Sequence, residues 1–316
     1  MHYIVFDLEW NQGSYRDNKK MYGMQLMNFE IIEIAAVKLN ESLDIIDRFQ
    51  RVIKPMVYEE LHPIIKDITG FTQEELKKGV PFVDGVKEFL EWCGQDYIFC
   101  SWATQDLKEL QMNMLFYGIT LVDRPPLFYY DVQKLFSYAC ENGDDRRSLK
   151  YAVDFLKLEE DIPFHRAYGD AYYTAKVMQN IDFDKVKNKI SIDTFVIPKD
   201  KSEEVSLSFD TYSKFISRGY RNKEELMSQK YITTVKCHVC GNIVKRKIGW
   251  FSDGMKNYYF AGICKKHGRI KGKIRLRKSV DRKVYAIKTI KVASDEEYEK
   301  IVQKKKQIKL KRKKQS

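Results

Sequence analysis

The stretch Tyr3-Ile-Val-Phe-Asp-Leu-Glu-Trp10 is apolar apart from two carboxylates, and it predicts the strand around which the first half of the chain folds. Residues two apart in a strand point to the same face, so Asp7 and Glu9 are predicted to lie side by side. A strand that is apolar on both faces is buried, and unpaired buried charges cost several kcal/mol each. Divalent cations remove that cost, and Mg²⁺ prefers carboxylate oxygens. The pattern indicates a metal site on a central strand, although an Asp-x-Glu pair alone also fits a surface strand.

Three later residues extend this candidate site. Asp106 follows a second apolar run, and Asp170 lies five residues after His165. Taken singly, a residue such as Asp106 is more often a charge at a helix N-terminus, where the macrodipole favours it, and His165 and Asp170 also fit an ordinary loop residue and helix charge. Taken with the two acids of the first strand, they form one metal site with one base, for which an imidazole has a suitable pKa.

At these positions the chain resembles the DEDDh 3′→5′ exonucleases. The three motifs that carry the resemblance are Phe6-Asp-Leu-Glu9, Ser101-Trp-Ala-Thr-Gln-Asp106 and His165-x4-Asp170. The connecting segments Phe29–Val37, Ile68–Glu75 and Phe89–Trp92 are most similar to the branch with the enhanced-RNA-interference and histone-mRNA 3′-exonucleases and the bacterial sporulation-inhibitor relatives. The resemblance covers residues 1–182. It departs from the family at Trp10, where many relatives carry Thr, and in the polar residues before Asp106.

The resemblance implies five catalytic residues: Asp7, Glu9, Asp106, His165 and Asp170. It implies that Asp7, Glu9 and Asp170 hold a Mg²⁺ or Mn²⁺ ion carrying the attacking water, and that Asp7, with Asp106 nearby, places a second ion on the leaving 3′ oxygen. Two such ions stabilise both oxygens of an in-line displacement. His165 then takes the proton from the water, and nucleoside 5′-monophosphates leave the 3′ end of RNA or single-stranded DNA.

Three aromatic residues next to these motifs are candidates for substrate binding: Trp10, Phe71 and Trp102. Stacking of a base on an aromatic ring contributes about 1–3 kcal/mol per base and tolerates any sequence. Aromatic residues beside a buried strand also commonly belong to the core, so both interpretations stay open.

The periodicity of residues 1–182 alternates between strand and helix. Strands are predicted at 3–8, 31–39, 45–53, 97–101 and 128–132, and helices at 82–93, 105–117, 147–157 and 169–180. This order predicts an α/β fold, a ribonuclease-H-like mixed sheet flanked by helices, with Asp7 and Glu9 on the central strand. Gly169 either lets the last helix approach closely or is simply a residue of its first turn.

The second half contains two short Cys/His motifs, Cys237-His-Val-Cys240-Gly241 and Cys264-Lys-Lys-His267-Gly268. Each pair is spaced to place two ligands on one Zn²⁺ ion, and a glycine follows each turn. The segment between them contains β-like runs around a predicted hairpin turn at Ser252-Asp-Gly254. These features predict a small C-terminal β zinc ribbon whose four filled positions make the zinc structural, although two unrelated turns would look similar.

Charge is divided unevenly along the chain. Residues 1–182 carry 20 Lys+Arg and 30 Asp+Glu, whereas residues 183–316 carry 36 and 14. An acidic half suits cations, and a basic half attracts a phosphate backbone. Basic residues interleaved with aromatics around 245–278 are typical of single-stranded nucleic-acid binding, although those aromatics also suit a small core. We therefore expect an exonuclease domain at 1–182, a connector at 183–230, a basic zinc-ribbon domain at 231–293 and a basic helix or tail at 294–316.

No run of 18 apolar residues and no signal peptide is evident, so a cytoplasmic protein without membrane contact is expected. Six cysteines in a chain of 316 residues without a secretory signal do not predict a disulfide framework. The leading hypothesis is a metal-dependent 3′→5′ exonuclease. Two alternatives are a nucleic-acid-binding adaptor without turnover and a proofreading module that docks onto a polymerase. The sequence predicts no particular protein partner.

Overall fold

The computed structural model describes residues 1–13, 27–121, 125–143 and 145–315. It separates into two compact units, the first comprising 1–121 with 127–193 and the second 122–126 with 194–316. Within the described residues, no helix has both the length and the apolar run that crossing a membrane requires.

The first unit is built on a mixed six-stranded sheet. Its strands are β1 His2–Gln12, β2 Phe29–Leu39, β3 Ile45–Val52, β4 Tyr97–Ser101, β5 Leu127–Asp131 and β6 Ser191–Asp193, in the spatial order β3-β2-β1-β4-β5-β6. β1 runs antiparallel to β2 and parallel to β4, which is itself parallel to β5. The predicted mixed α/β sheet with a central first strand is therefore confirmed, and β6 is a strand that periodicity did not predict.

Helices cover this sheet. They are α1 Pro63–Thr69, α2 Gln73–Lys77, α3 Phe82–Cys93, α4 Gln105–Phe116, α5 Val132–Cys140, α6 Leu149–Phe155, α7 Ala167–Asn180 and α8 Phe183–Val186. Alternate residues of β1 enter two separate cores, with Ile4 and Phe6 packing beside α3 and α4, and Tyr3 and Val5 beside α5 to α7. Because β1 is apolar on both faces, it is buried on both faces.

The second unit is an antiparallel six-stranded sheet with a long terminal helix. Its elements are β7 Val205–Ser208, β8 Ser213–Ile216, α9 Lys223–Ser228, α10 Lys230–Thr233, β9 Lys245–Ser252, β10 Asn257–Cys264, β11 Gly268–Lys278, β12 Val284–Val292 and α11 Asp295–Gln315. The spatial order is β7-β8-β12-β11-β10-β9. The hairpin predicted around Ser252-Asp-Gly254 joins β9 to β10.

The division into units differs from the predicted boundaries. Residues 183–230 are not a separate connector, because α8 and β6 belong to the first unit whereas β7 and β8 belong to the second. β8 pairs with β12 over residues far apart in sequence, from Ser213 with Ile290 to Ile216 with Ile287. Local periodicity carries no information about such a pairing, so the sheet is larger than the small ribbon that the sequence predicted.

Candidate active site and metal centre

The carboxylates of the first strand lie where β1 continues past its parallel neighbour. β1 pairs with β4 only over residues 2–5, so Asp7 and Glu9 are beyond the end of that ladder. Asp7 and Glu9 share the face of Tyr3 and Val5, because strand side chains alternate. α7 packs on this same region of β1 and β2 and carries Asp170 in its first turn.

These three acids form one close group. Asp7, Glu9 and Asp170 each offer a carboxylate oxygen, and the three oxygens lie within 4.8 Å of one another. Oδ1 of Asp170 is buried and has no hydrogen-bond partner among the described residues. Buried oxygens normally have a partner, so an unpartnered one at the centre of an acidic group is suited to a cation.

Burial raises the pKa of each acid, and repulsion between the carboxylates adds to the rise at Asp7 and Glu9. Burial is the largest cause at Asp7, whose pKa lies well above its usual value, and the charges of Asp106, Asp170 and Glu9 follow. Burial and the charge of Asp170 raise the pKa of Glu9 to about 8. Burial also raises the pKa of Asp170, against the lowering effect of His165. The group is therefore unstable as free carboxylates, and a divalent cation offsets that instability.

Asp106 joins the site from α4. Its carboxylate is buried, and the backbone N–H of Leu8 on β1 is close enough to act against the rise of its pKa. Burial raises the pKa of Asp106 to about 7. Asp106 lies outside the close group of three, but its charge raises the pKa of Asp7 more than any other neighbouring charge does. All four predicted acids are thus brought to one place.

His165 is held beside Asp170 by an unusual backbone. Its φ is +65°, in the left-handed region, and the charge and the backbone N–H of His165 both act to lower the pKa of Asp170. The side chain is exposed. A Cβ at Gly169 would collide with the carbonyl oxygen of Pro163, so the loop that carries His165 packs directly on the first turn of α7. Gly169 is required for this close approach.

A buried ion pair that the sequence analysis missed supports the same corner. Glu33 on β2 is fully buried. Its carboxylate accepts hydrogen bonds from Nη2 of Arg166 at 3.0 Å, the backbone N–H of Ala167 at 3.0 Å and Nε2 of Gln50 at 2.8 Å. Glu33 is also the register partner of Glu9. The pair anchors the residue after His165 to the sheet. A glutamate inside the apolar run 31–37 was the available signal, but its partner is 133 positions away.

The three predicted stacking aromatics lie in different environments. Trp10 is half-buried and packs on Phe29 at 5.8 Å between ring centroids. Trp102 is half-buried, and its buried Nε1 has no hydrogen-bond partner among the described residues. Phe71 is fully buried beneath the Arg166 guanidinium, 3.9 Å from its ring. The structure corrects the prediction for Phe71, because its ring is a core group without a free face for a base.

In the second unit, the predicted zinc ligands converge. Ligand atoms of Cys237, Cys240, Cys264 and His267 all lie within 4.8 Å of one another. Nδ1 of His267 is 3.5 Å from Sγ of Cys237, and Sγ of Cys240 is 3.6 Å from Sγ of Cys264. Burial opposes ionisation of Cys264, but the backbone N–H groups of Lys266 and His267 lower its pKa to about 6. Three thiols and one imidazole at these distances can hold a tetrahedral Zn²⁺ ion.

Comparison with known proteins identifies the family of the first unit. Residues 21–178 match the family RNase_T, described as "Exonuclease", and this match covers half of the chain. The chain belongs to this exonuclease family. The family and enzyme class predicted from the motifs are therefore confirmed.

Two similar proteins match only part of the chain. DNA polymerase III PolC-type of Bacillus subtilis is 31% identical over 110 residues, 35% of this chain and 7% of the relative. The 3'-5' exoribonuclease 1 of Rattus norvegicus is 31% identical over 96 residues, 27% of this chain and 28% of the relative. The chain thus matches less than a third of the length of either.

A solved structure shows the same fold in the first unit. The nuclease domain of 3'hExo, a DEDDh family member bound to rAMP, superposes with a TM-score of 0.50 at 18% identity. The superposition covers 61% of this chain and 96% of that domain. At 18% identity, this likeness establishes the fold and nothing further.

Proposed function

We propose that the first unit removes nucleoside 5′-monophosphates from a free 3′ end of RNA or single-stranded DNA, using two Mg²⁺ or Mn²⁺ ions. The observation that carries this proposal is the group of Asp7, Glu9 and Asp170, with ligand oxygens within 4.8 Å of one another. Carboxylate oxygens are the preferred ligands of these hard cations. The names of two similar proteins, an exoribonuclease and a nuclease domain bound to rAMP, support RNA as the substrate.

The proposed catalytic roles are those that the resemblance implies, and the positions of the side chains support them. Asp7, Glu9 and Asp170 would hold one ion, and Asp7 with Asp106 the second. When bound, the cations lower the pKa of a water ligand and stabilise the entering and departing oxygens of the displacement. His165 would accept the proton of the attacking water on an imidazole nitrogen, for which its exposed side chain beside Asp170 is suited.

The aromatic residues with a half-buried ring would bind the substrate. Trp10 and Trp102 flank the metal-binding segments in sequence and keep part of each ring accessible. Stacking on these rings does not select a base sequence, as expected for an enzyme that shortens strands one nucleotide at a time.

The second unit would supply affinity for the substrate. Cys237, Cys240, Cys264 and His267 would hold a structural Zn²⁺ ion, because all four protein positions are filled. Residues 183–316 carry 36 Lys+Arg against 14 Asp+Glu, which offsets the repulsion between an acidic first half and a polyanion. A cytoplasmic location, expected from the sequence, is part of this proposal.

A second candidate function is proofreading of DNA synthesis. It is favoured by the 31% identity to DNA polymerase III PolC-type over 110 residues. A proofreading enzyme degrades the mismatched 3′ end of a duplex in preference to free RNA. Comparing the rates on 3′-overhanging RNA, single-stranded DNA and mismatched duplex DNA therefore separates the two candidates.

The proposal is tested with 5′-labelled oligonucleotides and Mg²⁺ or Mn²⁺. The wild-type protein should produce a ladder that shortens from the 3′ end. His165→Ala should lower kcat by about 10²- to 10⁴-fold, the usual contribution of a general base, without changing the folded fraction. His2→Ala, in the same strand as Asp7 but away from the acids, is the matched control. Near-normal turnover by His165→Ala would refute the assignment of the base.

Binding of oligonucleotides without hydrolysis would refute the proposal as a whole. If the wild-type protein binds oligonucleotides but hydrolyses none of the three substrates with either metal, the adaptor hypothesis replaces the exonuclease. Loss of hydrolysis in Asp7→Asn, with binding retained, would support the metal site.

A further inference from the structure

A cavity lies on the sheet of the second unit, formed by residues that have no role in the Cys/His group. Its volume is about 420 Å³. Its lining includes Ser206, Ser213, Phe215, Thr234, Lys236 and Lys288. Small-molecule sites occupy about 300–1,000 Å³, so the cavity has room for a sugar and a base as well as a phosphate.

The strand register explains why these side chains meet. Phe215 on β8 lies opposite Ser206 on β7 and opposite Lys288 on β12. Ser213 is two residues before Phe215, and side chains two apart share a face. One face of three neighbouring strands therefore presents two hydroxyls, an aromatic ring and an ammonium group to the same space.

Two hydrogen bonds fix the ammonium group of Lys288 and leave one of its N–H donors available. Its Nζ donates to the carbonyl oxygens of Ile232 at 2.8 Å and Thr234 at 3.2 Å, and lies 5.1 Å from the ring centroid of Phe215. An ammonium group has three donors, so one stays available after these two bonds. The backbone contacts hold the charge at one position, which reduces the entropy lost on binding an anion.

The charged side chains that line the cavity are all lysines. No carboxylate is among the cavity's described lining residues. Burial, and after it the charge of Lys236, lowers the pKa of Lys288 to about 8. Glu204 partly opposes this shift, but it is not among the lining residues, and its carboxylate accepts the hydroxyl of Tyr231 at 2.8 Å and the backbone N–H of Arg218 at 3.2 Å. An anion placed between the two lysines relieves their repulsion.

We propose that this cavity binds one nucleotide of a single-stranded polynucleotide, with its phosphate on Lys288 and Lys236 and its sugar hydroxyls near Ser206, Ser213 and Thr234. The apolar wall formed by Phe215 and Ile290 receives the base or sugar. Contacts of this kind are made to phosphate and sugar and are independent of sequence. The inference deepens the proposed function, on which it rests for the kind of ligand.

The test measures the affinity of the full-length Asp7→Asn protein, which should not digest its ligand, for a fluorescent 12-nucleotide single strand. Lys288→Met keeps the length of the side chain and removes its charge. It should weaken binding roughly tenfold and lower the slope of log K against log salt by about 1. The matched control is Lys223→Met, on the exposed first turn of α9, which should change neither quantity. Equal affinities for Lys288→Met and Lys223→Met would overturn the proposal.

A second measurement needs no substitution in the cavity. Amine-reactive labelling followed by peptide mass spectrometry reports the accessibility of Lys236 and Lys288 in the same Asp7→Asn protein. The oligonucleotide should protect both lysines and leave Lys223 reactive. Protection by a free nucleoside 5′-monophosphate at equal concentration would overturn the assignment to a polynucleotide, and so would full labelling of both lysines in the presence of the oligonucleotide.

The two proposals fail in different ways. If wild-type protein shortens oligonucleotides but Lys288 is neither protected nor needed for affinity, only the cavity assignment fails. If the cavity binds the oligonucleotide and no substrate is hydrolysed, the exonuclease proposal fails and the second unit is a binding module.

Discussion

The two explanations of Gly169 predict changes in stability of opposite sign when alanine replaces it. If Gly169 were only a residue in the first turn of α7, alanine would stabilise the helix by about 0.5–1 kcal/mol. In the structure, a Cβ at this position would overlap the carbonyl oxygen of Pro163. The same Cβ would lie 3.3 Å from the carbonyl carbon of Pro163 and 3.5 Å from Cγ2 of Ile162. We therefore expect Gly169→Ala to destabilise the protein and to lower its activity.

The magnitude follows from how far the two segments must separate. Non-bonded heavy atoms rest at about 3.5–4.0 Å, so relieving the overlap requires a displacement on the order of 1 Å. Overpacking of this kind costs about 1–3 kcal/mol. Whichever segment moves carries a site residue, because Asp170 follows Gly169 on the helix and His165 follows Pro163 on the loop. A displacement of about 1 Å at a catalytic group can cost about 10²-fold in rate.

Two assays check this prediction. Urea denaturation measures the free energy of unfolding, and initial rates on a 5′-labelled oligonucleotide measure kcat. Asn180→Ala, at the exposed C-terminal end of the same helix, controls for a change in helix propensity alone. If Gly169→Ala were as stable and as active as the wild type, the close approach of loop and helix would not be needed, and the argument from packing would be wrong.

Two further predictions concern the supports of each site. Arg166→Met should lower the free energy of unfolding, measured by urea denaturation, by about 3 kcal/mol, because it leaves the carboxylate of Glu33 buried without its cation. Adding Glu33→Gln to the same protein should recover part of that loss, because the buried charge is then removed. Removing zinc with a chelator should disorder the second unit around Cys240, seen as lost amide-exchange protection at 235–270, while the first unit keeps its protection. Metal analysis that finds under half an equivalent of zinc in the purified protein would contradict the second prediction.

The local pattern of the sequence was enough to predict the secondary structure around the site. The apolar run 3–8 predicted a strand, and β1 covers it. The helix predicted at 82–93 has those bounds, because its apolar residues recur with a helical period. The Asp-x-Glu pair, the second acid segment and the His-x4-Asp spacing identified four acids that the fold brings together.

Contacts between distant residues were not predictable in this way. The partner of Glu33 is 133 positions away, and nothing in either segment indicates the pairing. Phe71 looked like a stacking residue because it is near the motifs in sequence, whereas the fold places it beneath Arg166. The pairing of β8 with β12, which creates the cavity around Lys288, likewise depends on chain segments about 70 residues apart.

Local sequence patterns were sufficient to predict the strands and helices that carry the four acids, the family of the first unit and the chemical identity of the candidate ligands. These properties depend on periodicity and on residue type, which are local. The tertiary structure alone decided which charges become neighbours, which aromatic rings keep a free face and where the chain divides into units. The physical reason is that burial and electrostatic coupling depend on distance in space, and packing brings together groups that the sequence keeps far apart.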